Sequence, residues 1–414
     1  MANSNNLTLT FSDTSNDPAK VIRFHHGHGD EVPQGALVDP GMVLVTFLAA
    51  PINPQDLLAI AGRYPVKAQY RHAGEPIPGN DGVARVEAVG ADAPHAPPST
   101  SILQPGDLVI PRRHGLGTWR QRAVLPVDAL QRLPLSPNSA PSRGPAPAPG
   151  WDPVAASMLR TVFTPAYLLV EDMRALRPGD WVVQNAGRSA IAQLVTQFVR
   201  RKGASVVSVV RDTDLSAQAA STDFETQAQA QHAPLPTNAD IVVPESRVIA
   251  RGTAAHPALA AAAAQGRVVL ALDAVFGRAG EQLAALLSKG ATYVNYGSLG
   301  GATGAGHPEA ELRVSQKLLF WSEVQLRNFR LSEQLGLRSR DEQETMLAWF
   351  ADLVACGELK APKMERIAVP GDAEADQVQF EQRVREVLTA GAERKQRGLQ
   401  KHVFVFETGI AEGT

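Results

Sequence analysis

The sequence predicts an α/β protein in two parts, a β-rich N-terminal domain and a doubly wound parallel sheet with helices on both faces. Three observations predict it. Before Trp151, β-branched runs are punctuated by Gly, Pro and Asp. After it, short apolar runs alternate with longer helical segments, the pattern of a parallel sheet. The 414 residues, 44% of them hydrophobic, suffice for two cores rather than one.

The β-rich part is carried by "GMVLVTFLAAPINP", "GVARVEAVG" and "DLVIPRRHGLGTWRQRAVLP". The Pro-, Ser- and Gly-rich stretch over 133–150 is expected to be an exposed loop insertion. Strands of the parallel sheet are expected at Trp181–Ala186, Val206–Arg211, Asp240–Val243, Val268–Val275 and Thr292–Tyr296. A helix in "DEQETMLAWFADLVACGEL", the strand "MERIAV", a second helix and the strand "KHVFVF" follow, the last expected to return to the first domain. The boundaries are set at 1–154, 155–335 and 336–414.

Bulk chemistry narrows the partners. A net charge of -2 gives no polyelectrolyte attraction to nucleic acid or anionic membrane. The single cysteine, Cys356, makes neither an internal disulfide nor a thiolate zinc cluster, so an intracellular protein is expected. No apolar run reaches the roughly 20 residues of a membrane span. The polar start, "MANSNNLTLTFSDTSNDPAK", has the pattern of neither a signal peptide nor an Arg-rich transit peptide.

The stretch "WVVQNAGRSAIAQLVTQFVRRKGASVVSVVRD" reads as strand, glycine turn, helix and second strand. Such a unit holds a dinucleotide pyrophosphate on the helix N-terminus. Gly187 supplies the turn, and Ser189 and Ala192 stand where two further glycines are usual. Both are small enough to let a ligand approach the backbone. Ile191, Leu194, Val195 and Phe198 recur at helical spacing over Ala190–Arg201. The alternative is an ordinary strand-to-helix turn. At the end of the second strand an acidic residue would bind the ribose of NAD, and an arginine the extra phosphate of NADP. Arg211 stands there, favouring NADPH; Asp212 follows, and a solvated strand-end charge is the alternative.

Several motifs together resemble the mitochondrial 2-enoyl thioester reductases of the zinc-independent medium-chain dehydrogenase/reductase superfamily. They are "APINPQDLLAIAGRYP", "PIPGNDGVARVEAVG", "GTW", "QNAGRS", "VVSVVRD", "LLSKGATYVNYGSLGG", "QLRNF" and "LQKHVFVF". The resemblance implies a GroES-like catalytic domain, split between the N-terminal part and the C-terminal tail, around a Rossmann NADP-binding domain. It implies NADPH-dependent reduction of trans-2-enoyl thioesters, on acyl carrier protein or CoA, in mitochondrial fatty acid synthesis. The compartment implied is the mitochondrial matrix; without that resemblance the cytoplasm would be expected. Zinc-dependent superfamily members carry Cys and Gly-His-Glu where this chain has Asp56, Asn80 and Asp81, so no metal is expected. The histidines His25, His26 and His28 are read as a solvated cluster without a clear fourth ligand.

The same resemblance implies the site. Hydride added to the β-carbon of an unsaturated thioester leaves an enolate-like species that must be protonated at the α-carbon. Tyr64, in "AGRYP", matches the family's tyrosine donor; packing against "RHAGEPIPG" is the structural alternative. Asn53 is similar to an asparagine near the nicotinamide, and is equally suited to stabilise an Asx turn. Cofactor contacts are implied for Asn185, Gly187, Arg188, Ser189, Arg211, Tyr296, Gly297, Ser298, Phe320, Trp321 and Lys401. Phe320 and Trp321 could equally be core, and Lys401 a plain edge-strand lysine. Trp119 either lines the substrate cleft or packs in the core. Arg330 stands where the family has an aromatic, and lines the acyl pocket if that position does. Arg188 replaces a small polar residue in the phosphate loop, adding a contact or pointing to solvent.

Two other functions compete. A quinone oxidoreductase of the same superfamily would need no catalytic tyrosine; a non-enzymatic coregulator or single-strand nucleic-acid binder would leave Tyr64 and Arg211 unexplained. A homodimer is expected, joined edge to edge through the cofactor-domain sheet, with "ATYVNYG" as the edge strand.

Overall fold

A computed structural model of the chain describes residues 6–27, 38–90, 103–133, 152–212, 239–299, 311–370, 373–392 and 401–406. The chain divides into two compact units. The first comprises Met1–Thr161, Arg338–Gln396 and Gln400–Thr414, and the second Val162–Leu337 with Arg397–Leu399. Nearly all of the Pro-rich stretch expected as a loop, and His28, lie outside the described residues.

The first unit is built on a seven-stranded sheet. Its long strand Met42–Pro51 is buried along almost its whole length and pairs with three others. Antiparallel partners are Val83–Val89, Arg122–Pro126 and the last strand, Lys401–Phe406. That last strand sets Phe404 opposite Ala50 and pairs in parallel with Met364–Val369 on its other side. β-Branched and aromatic residues recur in these runs because a half-buried pleated surface packs them well. The sheet encloses a core of Val43, Val45, Phe47, Trp119, Leu125 and Phe404. The helix Glu374–Ala392 adds Phe380, Val384 and Leu388 to it.

The second unit is a six-stranded, wholly parallel sheet. Its strands are Trp181–Gln184, Ser205–Val210, Ile241–Pro244, Val268–Asp273, Thr292–Asn295 and Gln325–Asn328. Numbered along the chain within this sheet, their order is 3-2-1-4-5-6. That is the doubly wound arrangement, whose strand order reverses at the first strand, where open α/β sheets bind ligands. Strand four is a continuous buried run and strand one is buried from Val182 to Gln184, as expected where helices cover both faces.

One expectation needs correction. Thr292–Asn295 does not form the sheet edge: Val268–Asp273 pairs with one side of it and Gln325–Asn328 with the other. The edge is Gln325–Asn328, all four residues exposed. The apolar texture of "ATYVNYG" is that of an interior strand, with Tyr293 and Val294 buried.

Candidate active site

In the first unit, a chain reversal at Asn53 starts the helix Pro54–Ile60, with proline at its first position. The Asn53 N–H donates to Asp56 Oδ2 at 2.7 Å, and Asn80 Nδ2 donates to Asp56 Oδ1 at 2.7 Å. Asn80 Oδ1 in turn accepts the N–H of Gly115 at 2.7 Å. Lys401 Nζ, from the last strand, donates to Asn53 Oδ1 at 2.7 Å. Beside this cluster Asp81 faces Arg160, with Nη1 3.7 Å from Oδ1, and Arg160 Nε donates to the Arg112 carbonyl at 3.2 Å. Gly79 makes the approach possible: at φ +102°, a Cβ there would lie 2.4 Å from Thr118 Oγ1 and 2.5 Å from Trp119 Cδ1.

Two carboxylates, a guanidinium and an ammonium are thus buried together. Burial raises Asp56 to about 6, against the pull of its Asn53 and Asn80 hydrogen bonds. Burial also raises Asp81, Arg160 being the main group opposing it. Lys401 is lowered to about 8 by burial, with Asp81 and Asp56 holding it up. The positions that resemble zinc-ligand places are therefore held by protein partners, Asp56 by two amide donors and Asp81 by a cation. Among the described residues no three His, Cys, Asp or Glu are grouped to hold a metal. His25 bonds Thr10 and His26 bonds Glu381.

Tyr64 stands at the edge of this network, half-buried, its N–H donating to the Leu58 carbonyl at 3.1 Å. Its hydroxyl lies 2.5 Å from His114 Nδ1. Burial, then the charges of Asp56 and Asp81, push the phenol up to about 12, and Arg160 opposes them. The side chain is therefore a protonated phenol across the ordinary pH range. Its polar partner is His114. Neither His114 nor Arg160 stands out in the sequence. Each is distant in the chain from Tyr64, and the His114 loop is fixed by hydrogen bonds to Asn80 and Gln69.

In the second unit, Asn185, Gly187, Arg188, Ser189, Arg211, Tyr296, Gly297 and Ser298 follow the carboxyl ends of strands one, two and five, whereas Phe320 and Trp321, expected to contact the cofactor, lead into strand six at the amino ends. Ser189 caps the helix Ala190–Arg201, its Oγ accepting the Ala192 N–H at 3.2 Å. Ala186 takes φ +47°, a conformation glycine adopts more easily, so the turn keeps its shape with fewer glycines than usual. Gly187 has no such freedom to change: a Cβ there would lie 2.5 Å from Ser208 Cβ on the second strand. Asn185 Nδ2 donates to Asp273 Oδ1 at 2.5 Å and its Oδ1 accepts the Ala274 N–H at 2.8 Å, tying strand one to strand four. Tyr296 N–H donates to the Asp273 carbonyl at 2.9 Å, and Asn295 Nδ2 to the Gly297 carbonyl at 2.7 Å. These bonds hold Tyr296, Gly297 and exposed Ser298 at the strand end.

Arg211 is exposed at the end of strand two. Asp212, which blurred the cofactor reading, is engaged elsewhere: its carboxylate accepts the N–H and hydroxyl of Ser246. Arg188 is half-buried, its carbonyl accepting from Gln193.

The structure corrects or resolves three assignments. Trp119 is 0% exposed, stacks edge-to-face on Phe404 with centroids 5.3 Å apart and donates to the Pro51 carbonyl. It is a core residue, not a pocket wall. Phe320 and Trp321 are 65% and 67% exposed, so core packing does not account for them. Arg330 is exposed and ion-paired with Glu333 one helical turn on.

A GroES-like unit with a Rossmann sheet is the architecture of medium-chain dehydrogenases and reductases. The family model described as the alcohol dehydrogenase GroES-like domain matches residues 39–134. The mitochondrial enoyl-acyl-carrier-protein reductase of Homo sapiens is 31% identical over 364 residues, covering 85% of this chain and 84% of that protein. The Mus musculus enzyme of the same name is 30% identical over 362 residues, covering 87% and 82%. Among solved structures, the mitochondrial 2-enoyl thioester reductase Etr1p/Etr2p heterodimer from Candida tropicalis matches with a TM-score of 0.72 at 22% identity, over 97% of this chain and 100% of that one. The Etr1p/NADP/crotonyl-CoA complex matches with a TM-score of 0.73 at 21% identity, with the same coverage. The chain belongs to the mitochondrial enoyl thioester reductase family of the medium-chain dehydrogenase/reductase superfamily.

Proposed function

We propose that the chain reduces trans-2-enoyl thioesters of CoA or acyl carrier protein to the saturated acyl thioesters with NADPH, Tyr64 giving the proton. The observation that carries this reading is the Tyr64 hydroxyl, kept protonated by burial and held by His114 at the edge of a buried charge network. The curated relatives are named for this reaction, and a solved structural neighbour holds NADP and crotonyl-CoA.

The second unit suits NADPH. Gly187 leaves the backbone of the turn open, Ser189 starts the helix whose N-terminus would receive the pyrophosphate, and Arg211 would pair with the ribose phosphate. Asn185, Arg188, Tyr296, Gly297 and Ser298 would surround the remainder of the dinucleotide; Phe320 and Trp321, at the amino ends of the parallel strands, lie away from it. Bound NADPH supplies the hydride that goes to the β-carbon. Tyr64 then delivers its proton to the α-carbon, and the charge left on the phenolate meets the field of Arg160. Asn53 keeps a buried amide donor, Nδ2, without a protein partner among the described residues, for a bound group to satisfy. Lys401 fixes that amide by holding its oxygen.

We further infer a homodimer that pairs Gln325–Asn328 with its copy. The strand edge is exposed, Leu326 is 42% exposed on it, and Leu319, Phe320 and Trp321 lie a few residues before it in sequence, also exposed. Mitochondrial residence is inferred from the relatives' names. No helix among the described residues is long and apolar enough to cross a membrane.

The deciding measurement is consumption of NADPH with trans-2-butenoyl-CoA and trans-2-hexenoyl-CoA, with NADH and a quinone in parallel. Turnover of the thioesters with NADPH is expected. Turnover of the quinone alone would replace this reading.

A further inference from the structure

His114 lies in the stretch "DLVIPRRHGLGTWRQRAVLP" with no role assigned to it from sequence, yet it is the polar partner of the proposed proton donor. Its backbone is clamped on both sides: its carbonyl accepts from Gln69 Nε2 at 3.1 Å, and the next N–H, that of Gly115, is held by Asn80. Gly115 permits that clamp at φ +85°, where a Cβ would lie 2.5 Å from the Lys67 carbonyl. The Tyr64 backbone is held in its turn by Leu58. The contact between the two side chains thus joins two fixed points, the rings 5.7 Å apart and tilted by 33°.

The imidazole is neutral, because burial and the neighbouring Arg160 guanidinium push it down to about 3. A neutral imidazole has two tautomers, and they do opposite things to the phenol. With its proton on Nε2, the ring accepts the Tyr64 O–H, turning the phenol proton away from any substrate. With its proton on Nδ1, the ring donates to the phenol oxygen and leaves the phenol proton free to point elsewhere. His114 Nε2 is buried and has no partner among the described residues. A buried N–H without an acceptor costs more than a buried lone pair without a donor, so the Nδ1–H form is favoured.

Resting on the proposed reduction, we propose that His114 is a positioning residue that donates a hydrogen bond from Nδ1 to the Tyr64 oxygen. That bond aims the phenol proton at the substrate α-carbon and receives the phenolate when the proton leaves. As the C–H bond forms and the O–H bond breaks, the electron pair stays on the Tyr64 oxygen, where the hydrogen bond becomes charge-assisted and strengthens. The bond is thus worth more in the transition state than in the ground state, which is the condition for it to speed the reaction.

The test compares wild type with Tyr64→Phe, His114→Leu and His114→Asn on trans-2-hexenoyl-CoA and NADPH. Asn keeps an N–H donor near the Nδ1 position, and Leu removes it. His114→Leu is expected to lower kcat roughly 10- to 100-fold with KM little changed, as for loss of a bond to a charged group. It should also enlarge the solvent deuterium isotope effect, because proton delivery becomes slower relative to hydride transfer. His114→Asn should recover most of the loss. A wild-type kcat and isotope effect in His114→Leu would overturn the proposal, as would an Asn variant as slow as the Leu one. The ring-nitrogen NMR shifts of His114 in the wild-type protein give a readout independent of folding in the variants and of turnover. Protonation at Nδ1 supports the proposal, and protonation at Nε2 overturns it. Wild type inactive on every enoyl thioester would instead sink the proposed function, leaving the tautomer measurement standing by itself.

Discussion

Tyr64 carries the sharpest functional prediction at the scale of single residues. Tyr64→Phe should lower kcat/KM for enoyl thioesters by about 10²- to 10⁴-fold, the usual worth of a positioned general acid, while leaving NADPH affinity nearly unchanged by fluorescence titration. Arg211→Ala should raise KM for NADPH by roughly tenfold or more and leave KM for NADH where it was, measured in parallel assays. A different consequence follows from His114, whose folded value near 3 lies below its ordinary 6.5. Between those two values the unfolded chain binds the proton that the folded chain refuses, so the protein loses stability as pH falls below 6.5. The slope is at most about 1.4 kcal/mol per pH unit. Melting curves from pH 7 to 4.5 should therefore fall more steeply for wild type than for His114→Asn. Ser189 was legible as a helix cap because it belongs to a local strand-turn-helix pattern, and Arg211 was singled out by its place at the end of the second strand, whereas Tyr64 was singled out only by the family resemblance. His114 and Arg160 were not, because their roles come from contacts 50 or more residues away. Trp119 was legible only as a choice between cleft and core, which its complete burial decides.

Elements were read most accurately where the signal is local. The helix Ala190–Arg201 has its expected bounds because Ser189 caps it and its apolar spacing is regular. The edge of the parallel sheet was misread for an opposite reason. A buried strand announces itself by its apolar run, whereas an edge strand keeps polar residues outward and resembles a loop in sequence. "QLRN" is such a strand, and its register with Thr292–Asn295 exists only in the folded sheet. The dimer inferred above is tested on this element. Leu326→Asp should convert a dimer into a monomer in light scattering, because it places a charge in a pairing edge that must be desolvated. A wild-type monomer would remove the inference altogether.

The molecule as a whole is organised by a chain that leaves one core, builds a second and comes back. The second unit is essentially one continuous segment, Val162–Leu337, with its own core of Val183, Val207, Leu259 and Tyr293. The first unit requires both ends of the sequence, and alternation of element types made that outline readable from composition and spacing. Removal of residues 401–414 should strip Phe404 from Trp119 and expose an edge of Met42–Pro51. Loss of a large buried aromatic alone costs about 3–5 kcal/mol, so the truncated protein should be largely insoluble or should melt without a cooperative transition of the first unit. Lys401 gives the same strand a second meaning. The ammonium that fixes Asn53 comes from 348 residues further along the chain, so it is synthesised long after Asn53 and Tyr64. The segment Val162–Leu337 can fold during synthesis before this strand emerges, whereas the Asn53 contact cannot form until it does. A product truncated before Lys401 therefore lacks both the strand and the ammonium that fixes Asn53, and is expected to show no activity.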